Sequence, residues 1–317
     1  LTLSSVELIV LDEADKLFEL GAVGMRSGSN DIKANFFREE EGGEEEEEEE
    51  ENMVNDRAFL SQVDEILAMC DHPHVQRALF SATMGPQVRD LVQTVLRDPF
   101  RLLIGLQNAG AETIEQRLTF VGREEGKVLA FRQLIQQGLR PPVLVFLQSK
   151  ERAKELFTEL VYDGINVEVI HAERTQEQRD AIIRNFRLGK VWVLICTDLM
   201  ARGIDFKGVN MVINFDFPSS PVNYIHRIGR TGRAGRHGLA VTFFTESDLP
   251  FLRPIANVVK LSGCDVPDWM LTLKKERRDV LKRRESGPPP KRGTVSTNPA
   301  KQRREVKFQR RQERRKS

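Results

Sequence analysis

A chain of 317 residues with 40% apolar side chains is long enough to bury two cores, which excludes wholesale disorder. Its formal net charge of +1 hides an asymmetry: from Lys274 onward there are eighteen Lys or Arg against five Asp or Glu, leaving thirty against forty-two before it, so the tail is built to meet a polyanion. Cys70, Cys196 and Cys264 give neither a disulfide framework nor zinc-ligand spacing, and no apolar run reaches the eighteen residues of a membrane span. The expectation is a soluble, unsecreted protein in a reducing compartment, and the start on Leu1 in ordered-looking sequence reads as a fragment that has lost its beginning.

The run Val6 to Leu11 predicts a buried parallel strand that delivers Asp12-Glu13-Ala14-Asp15 to its C-terminal edge, where open α/β sheets bind ligands. From about 21 to 55, with eight consecutive glutamates at Glu44 to Glu51, the composition predicts a disordered insertion; an acidic mimic of nucleic acid that competes for the basic tail is the alternative. Asp56 is placed to cap a helix through Phe59, Val63, Leu67 and Cys70. Val75 to Phe80 reads as a strand running into Ser81-Ala82-Thr83, Pro86 starts a helix with Val88, Leu91, Val92 and Val95 inward, and Phe100 to Ile104 reads as a further strand. Ser81 and Thr83 either cap that helix or hydrogen-bond Asp15 from the same sheet.

Residues 105–112 read as a linker. Beyond it, strands at about 114–121, 143–148, 167–170, 191–196, 209–215 and 239–245 alternate with helices at about 126–137, 150–163, 175–188, 220–228 and 248–262, the pattern of a parallel sheet covered on both faces. Thr175 with Gln178 predicts a capping box, Ser220-Pro221 a capped helix start, and Gly263 a helix end. After Cys264 the folded pattern fades; residues 265–317 read as a disordered basic tail, helical around Trp269 to Arg284, that binds RNA through its backbone, acts as a nuclear address, or simply solubilises.

Two stretches of this second half carry chemistry. His226-Arg227-Ile228-Gly229-Arg230-Thr231-Gly232-Arg233 packs four cationic or titratable side chains around two glycines, which points away from a buried helix face and toward a phosphate site, with a solvated basic loop as the bland alternative. The loop from Cys196 to Asp205 leaves the end of a core strand: Thr197 and the Gly203 backbone suit a phosphate, and Asp205 suits a ribose hydroxyl. Asp198 as a helix cap paired with Arg202 is the structural alternative there.

The motifs Asp12 to Asp15, Ser81 to Thr83, Val143 to Phe146, Gln176 to Arg179, the 196–205 loop and His226 to Arg233 stand in the order and spacing of the DEAD-box RNA helicases, and over about 1–264 the chain resembles that family. Residues 170–176, 202–210 and 243–246 resemble most its nucleolar subgroup that assists small-ribosomal-subunit RNA processing. The resemblance implies tandem RecA-like domains in an α/β fold, the first (1–104) incomplete and the second over 113–264, closing around ATP, Mg²⁺ and one strand of RNA. It implies Asp12 as the Mg²⁺ acid acting through water and Glu13 as the residue that orients the attacking water. Asp15, Ser81, Thr83 and His226 would couple hydrolysis to closure, Arg230 and Arg233 would be arginine fingers, and Asp205 would hold the ribose. Gln176, Arg179, Thr197 and Gly203 would lie along the RNA backbone. Pre-rRNA as substrate, a stimulating protein partner, a monomeric state and the nucleolus follow from the same resemblance. The chain departs from the family in having no G-x-x-x-x-G-K-[ST], so it is expected not to hydrolyse ATP alone. The competing expectation is a non-catalytic RNA-binding or partner-docking module.

Overall fold

The computed structural model describes residues 3–15, 17, 63–106, 109–171, 173–198, 204, 206, 208–277, 280 and 292–295. The chain divides into two compact units, Leu1–Gln107 and Asn108–Ser317. Asp56, the acidic insertion, Gly203 and Asp205 lie outside the described residues.

In the first unit β1 (Leu8–Leu11) pairs in parallel with β2 (Gln76–Leu79), Leu8 opposite Gln76 and Leu11 opposite Leu79. The predicted strand boundaries are two residues generous at the start of β1 and one residue generous at each end of β2. Residues 63–69 are helical and lead to the buried Cys70. Helix α1 (Pro86–Val95) starts on Gly85 with the proline in its first turn, where its missing N–H costs nothing, and buries Val88 and Val95. The strand expected at Phe100 to Ile104 is absent: Phe100 is 91% and Ile104 86% exposed. An apolar run becomes a strand only where a neighbouring edge accepts its hydrogen bonds, and among the described residues the sheet of this unit holds β1 and β2 alone.

The second unit is an α/β layer structure built on six parallel strands. They are β3 (Ile114–Phe120), β4 (Val143–Leu147), β5 (Val167–Ile170), β6 (Val193–Thr197), β7 (Met211–Asn214) and β8 (Gly238–Phe244), in the spatial order β3-β8-β7-β4-β6-β5. Strand β4 is central and wholly buried. Its odd-numbered residues Val143, Val145 and Leu147 pack with Val128 and Phe131 of α2 (Gly126–Gln136) and Ala153, Leu156 and Leu160 of α3 (Lys150–Tyr162). Leu144 and Phe146 pack on the other face with Ile182, Ile183 and Phe186 of α4 (Gln176–Arg187). A strand with both faces covered has no use for alternation, which is why Val-Leu-Val-Phe-Leu is continuously apolar. Helices α5 (Pro221–Ile228) and α6 (Leu249–Leu261) complete the second face around Tyr224, Phe244 and Ile255.

Local signals act as expected. Thr175 and Gln178 form a reciprocal capping box, the Ser220 hydroxyl accepts from the Asn223 N–H with Pro221 in the first turn, and Gly263 follows α6 at φ +81°. Two expectations for the tail are corrected. Helix α7 (Asp268–Thr272), anchored by the buried Met270, ends before the Lys274-Lys275-Glu276-Arg277 run, which offers no apolar residue to continue the stripe, and Val280 is helical again. The fold also continues past Cys264: Val266 and Met270 join the core, and so does Val295, far down the tail. No helix among the described residues is long and apolar enough to cross a membrane.

Candidate functional site

Asp12 to Asp15 and Ser81 to Thr83 emerge side by side from the two strands of the first unit. The ladder runs on beyond them, Phe80 N–H to the Leu11 carbonyl at 2.8 Å and Ala14 N–H to the Phe80 carbonyl at 3.0 Å. The Asp15 carboxylate, 5% exposed, accepts from the Thr83 N–H at 3.2 Å and from the Thr83 hydroxyl, and the Ser81 hydroxyl donates to the Thr83 carbonyl at 2.6 Å. Of the two sequence readings for these hydroxyls, the bond to Asp15 is found for Thr83, while Ser81 bonds the Thr83 carbonyl and meets neither reading; Gly85, not Ser81 or Thr83, precedes α1. Asp12 keeps an exposed carboxylate whose Oδ1 accepts from the Glu13 N–H at 2.8 Å. Glu13 sits at φ +50°, a region that costs a non-glycine residue about 1–2 kcal/mol. Held strain at the ligand edge of a sheet is a mark of function more than of packing.

In the second unit His226 to Ile228 is the last turn of α5, inside the helix expected at about 220–228, and Arg227 is buried there, so the expectation that this stretch avoids a buried helix face is corrected. Arg227 is 3% exposed because it is paired: Nε and Nη2 donate to Asp198 at 2.6 and 2.7 Å, Nη1 donates to the Asp216 carbonyl at 2.8 Å, and the guanidinium lies 5.3 Å from the Phe146 ring. Asp198, just after β6, therefore serves Arg227; Arg202 is outside the described residues. This fork ties Asp198, at the end of β6, to the arginine-rich helix, a link the sequence reading missed. Arg230, 7% exposed, donates Nε to the His226 carbonyl at 3.3 Å, and the exposed Arg233 donates Nε to the Gly229 carbonyl at 2.7 Å. Both guanidiniums thus gather at the negative end of α5.

Gly232 fixes the turn between them. It stands at φ +67°, and a Cβ there would meet Ile114 Cγ1 at 2.5 Å. Gly232→Ala is expected to destabilise the second unit by about 2–3 kcal/mol, from the left-handed backbone and the overpacked Ile114, read as a lower urea midpoint with unchanged slope.

Gln176 and Arg179 occupy the first turn of α4, held by Asp180 at 2.9 Å and the Arg174 carbonyl at 3.0 Å. Thr197 ends β6 half-buried. Both positions leave the C-terminal edge of the sheet. Cys196 is no nucleophile: burial, with Asp198 nearby, pushes its thiol far up.

The same edge holds an ion cluster that sequence reasoning did not find. Asp216, fully buried after β7, binds Lys127 at 2.9 Å and Arg152 at 2.7 Å, and its second oxygen accepts from the Gln148 N–H at 3.1 Å. Burial would push its carboxyl up, but Lys127 and Arg152 outweigh it and hold it far below the usual range. The available signal was Gly126-Lys127 opening α2 and a lone Asp in an apolar run, and neither names its partner.

Residues 126–235 match the family model described as the helicase conserved C-terminal domain. The chain is 49% identical over 308 residues to the probable ATP-dependent RNA helicase ddx52 of Dictyostelium discoideum, which covers 97% of this chain and 40% of that one. It is 46% identical over 279 residues to the ATP-dependent RNA helicase ROK1 of Saccharomyces cerevisiae, covering 88% and 43%. The chain belongs to the DEAD-box RNA helicases. It spans about two fifths of the length of the curated relatives it matches. Among solved structures, S. cerevisiae Dbp5 bound to RNA and ADP BeF3 matches with TM-score 0.60 and 26% identity, over 89% of this chain and 64% of that one. In this DEAD-box chain the second unit is a RecA-like parallel-sheet domain. Its Gly122 to Lys127 stretch ends in Gly-Lys but has one residue too few between the glycines for a phosphate-cradling G-x-x-x-x-G-K-[ST], and Val128 stands where the hydroxyl residue belongs. Lys127 is buried on Asp216 and Glu124 instead of facing a ligand.

Proposed function

We propose that the protein is an ATP-dependent RNA helicase that separates short RNA duplexes in ribosome biogenesis, on pre-rRNA of the small subunit, in the nucleolus. The observation that carries the reading is the buried Asp15 to Thr83 hydrogen bond, which locks the acidic motif to the hydroxyl motif. A pure binding module has no need of that lock, nor of a strained Glu13 beside an exposed Asp12.

The residues suit the implied ligands. Asp12 offers one exposed carboxylate, which is what Mg²⁺ uses when phosphate oxygens and waters supply the rest of its shell. When bound, Mg²⁺ would neutralise charge on the β- and γ-phosphates. Glu13 would orient the attacking water and accept its proton. Arg230 and Arg233 would meet the γ-phosphate, Asp205 the ribose, and Asp15, Ser81, Thr83 and His226 would transmit closure. Gln176, Arg179, Thr197 and Gly203 would hold RNA by phosphate and sugar, so binding would show little sequence preference and fall steeply with salt. A protein partner would supply target choice, with the helicase acting as a monomer.

The test is RNA-stimulated ATP hydrolysis by the product of the complete gene beside its Glu13→Gln variant. Turnover that falls by about 10²–10⁴-fold in the variant, with RNA affinity retained, is the expected result, the range for loss of a positioned base. Equal turnover in both proteins removes Glu13 from the mechanism; salt-sensitive RNA binding without any turnover leaves the docking module.

A further inference from the structure

Four consecutive tail residues are docked on the second unit as a ligand would be. Arg292 is 4% exposed and spends its fork on three elements: Nη1 on Glu124 at 2.7 Å, Nη2 on Asp248 at 2.6 Å, and Nε on the Gln148 side chain at 3.0 Å. The Gly293 carbonyl accepts from Arg152 Nη1, and the Val295 N–H donates to Glu155 at 2.8 Å. The Val295 side chain is 3% exposed and joins the core cluster of α2, α3 and β4.

The acceptors come from the ends of different strands. Glu124 follows β3, Gln148 follows β4, Asp248 follows β8, and Arg152 and Glu155 lie on α3. Glu124 and Asp216 face Lys127 and Arg152, whereas Asp248 is paired by Arg292, which also reaches Glu124, so Arg292 adds the third cation opposite these three carboxylates. Asp248 is also seated by the Thr245 N–H and hydroxyl, at 3.1 and 2.8 Å, which aims its Oδ1 at Arg292.

We infer that Glu124, Gln148, Asp248 and Glu155 form a peptide-binding socket that reads an Arg-x-x-Val segment, and that Arg292–Val295 of the same chain is its occupant. The socket recognises two things at fixed spacing: a guanidinium that can donate in three directions, and an apolar side chain three residues on. A lysine cannot replace the fork, since its single ammonium has no planar array of donors. At the position after the arginine the socket is tolerant, because a Cβ on Gly293 would meet nothing within 4 Å. The second unit is thereby finished by sequence that composition alone assigns to a solvated tail. This inference is independent of the helicase reading.

The test uses the full 317-residue chain carrying Arg292→Ala, Arg292→Lys or Gly293→Ala, with thermal unfolding and binding of a labelled synthetic peptide covering residues 288–299. Arg292→Ala is expected to lower Tm by about 5–15 °C, the consequence of leaving one partner of a buried ion cluster unanswered. Arg292→Lys is expected to lower it by more than half as much, and Gly293→Ala to leave it unchanged. The Arg292→Ala chain should capture the peptide in trans at least tenfold more tightly than the parent chain, whose socket is filled, and a peptide with the same Arg→Ala change should bind at least tenfold more weakly. If Arg292→Ala does not fold, Arg292→Lys carries both measurements. An unchanged Tm in both arginine variants, peptide binding indifferent to arginine, or a loss in Gly293→Ala as large as in Arg292→Ala would overturn the proposal.

Discussion

Asp216→Ala is expected to cost the second unit about 3–5 kcal/mol, enough to unfold it at moderate temperature. The carboxylate is wholly buried and answers Lys127, itself 0% exposed, and Arg152, 5% exposed. Removing it leaves Lys127 and Arg152 to share Glu124, one negative charge short in a dry strand edge, where an uncompensated charge loses its hydration without return. Asp216→Asn would keep the shape and lose the charge, so it should recover only a minor part of the stability. Urea unfolding of the chain, followed by a probe in the second unit, reads the effect.

The same pairing sets the acid limit. Asp216 and Asp248 are both lowered: burial works against each charge, while Lys127 and Arg152 for the first, and Arg292 for the second, more than compensate. A carboxylate with a depressed native value contributes stability that is fully present above its unfolded value of about 4 and is lost as pH falls toward the native value. His171 acts earlier. Burial, with Lys154 nearby, lowers its value, so it is held neutral, and its contribution is complete above the unfolded value of about 6.5 and declines below it. Urea midpoints are expected to be flat above pH 7, to slope gently from about pH 6.5, and to drop steeply below about pH 4. A steep loss near pH 6 would mean that histidine, not the Asp216 cluster, governs.

The sequence reads well where short-range physics decides. The continuous apolar run of β4, the Thr175 and Gln178 capping box and the Ser220-Pro221 start are each settled within about four residues, and each stands where periodicity and capping put it. Phe100 to Ile104 shows the limit: apolarity says that a segment can pair, and a neighbouring edge decides whether it does. Arg227 shows a second. Its buried position follows from Asp198, 29 residues upstream on another element, and no local pattern announces that fork. Arg292 is the extreme case, bonded to Glu124 across 168 residues from within a run whose composition reads as solvated. In the first unit the Asp12 to Asp15 and Ser81 to Thr83 motifs were legible because each follows a strand. In the second unit the Asp216 ion cluster was not, because its members are single charges that acquire meaning only in contact.

Arginine substitution at the end of α5 separates chemistry from packing. Arg233 is exposed and touches backbone, so in the complete gene product Arg233→Ala is expected to lower RNA-stimulated ATP turnover by about 10³-fold or more with an unfolding midpoint close to the parent's, the range for a lost arginine finger. Arg230 is buried, and Arg230→Ala is expected to show a comparable kinetic loss together with a stability loss of about 1–2 kcal/mol, from its hydrogen bond to the His226 carbonyl and its packed stem. Lysine is the informative control. It keeps the charge at the helix end, so a helix-capping role would survive Arg233→Lys, whereas a forked contact to a transferring phosphoryl group would not. Turnover within threefold of the parent in Arg233→Lys would assign this arginine to the helix end and remove it from the proposed phosphate contact. A loss in Arg233→Lys that approaches the alanine value, with unfolding unchanged, would support the proposed finger role and place it in the geometry of the guanidinium and not in its charge.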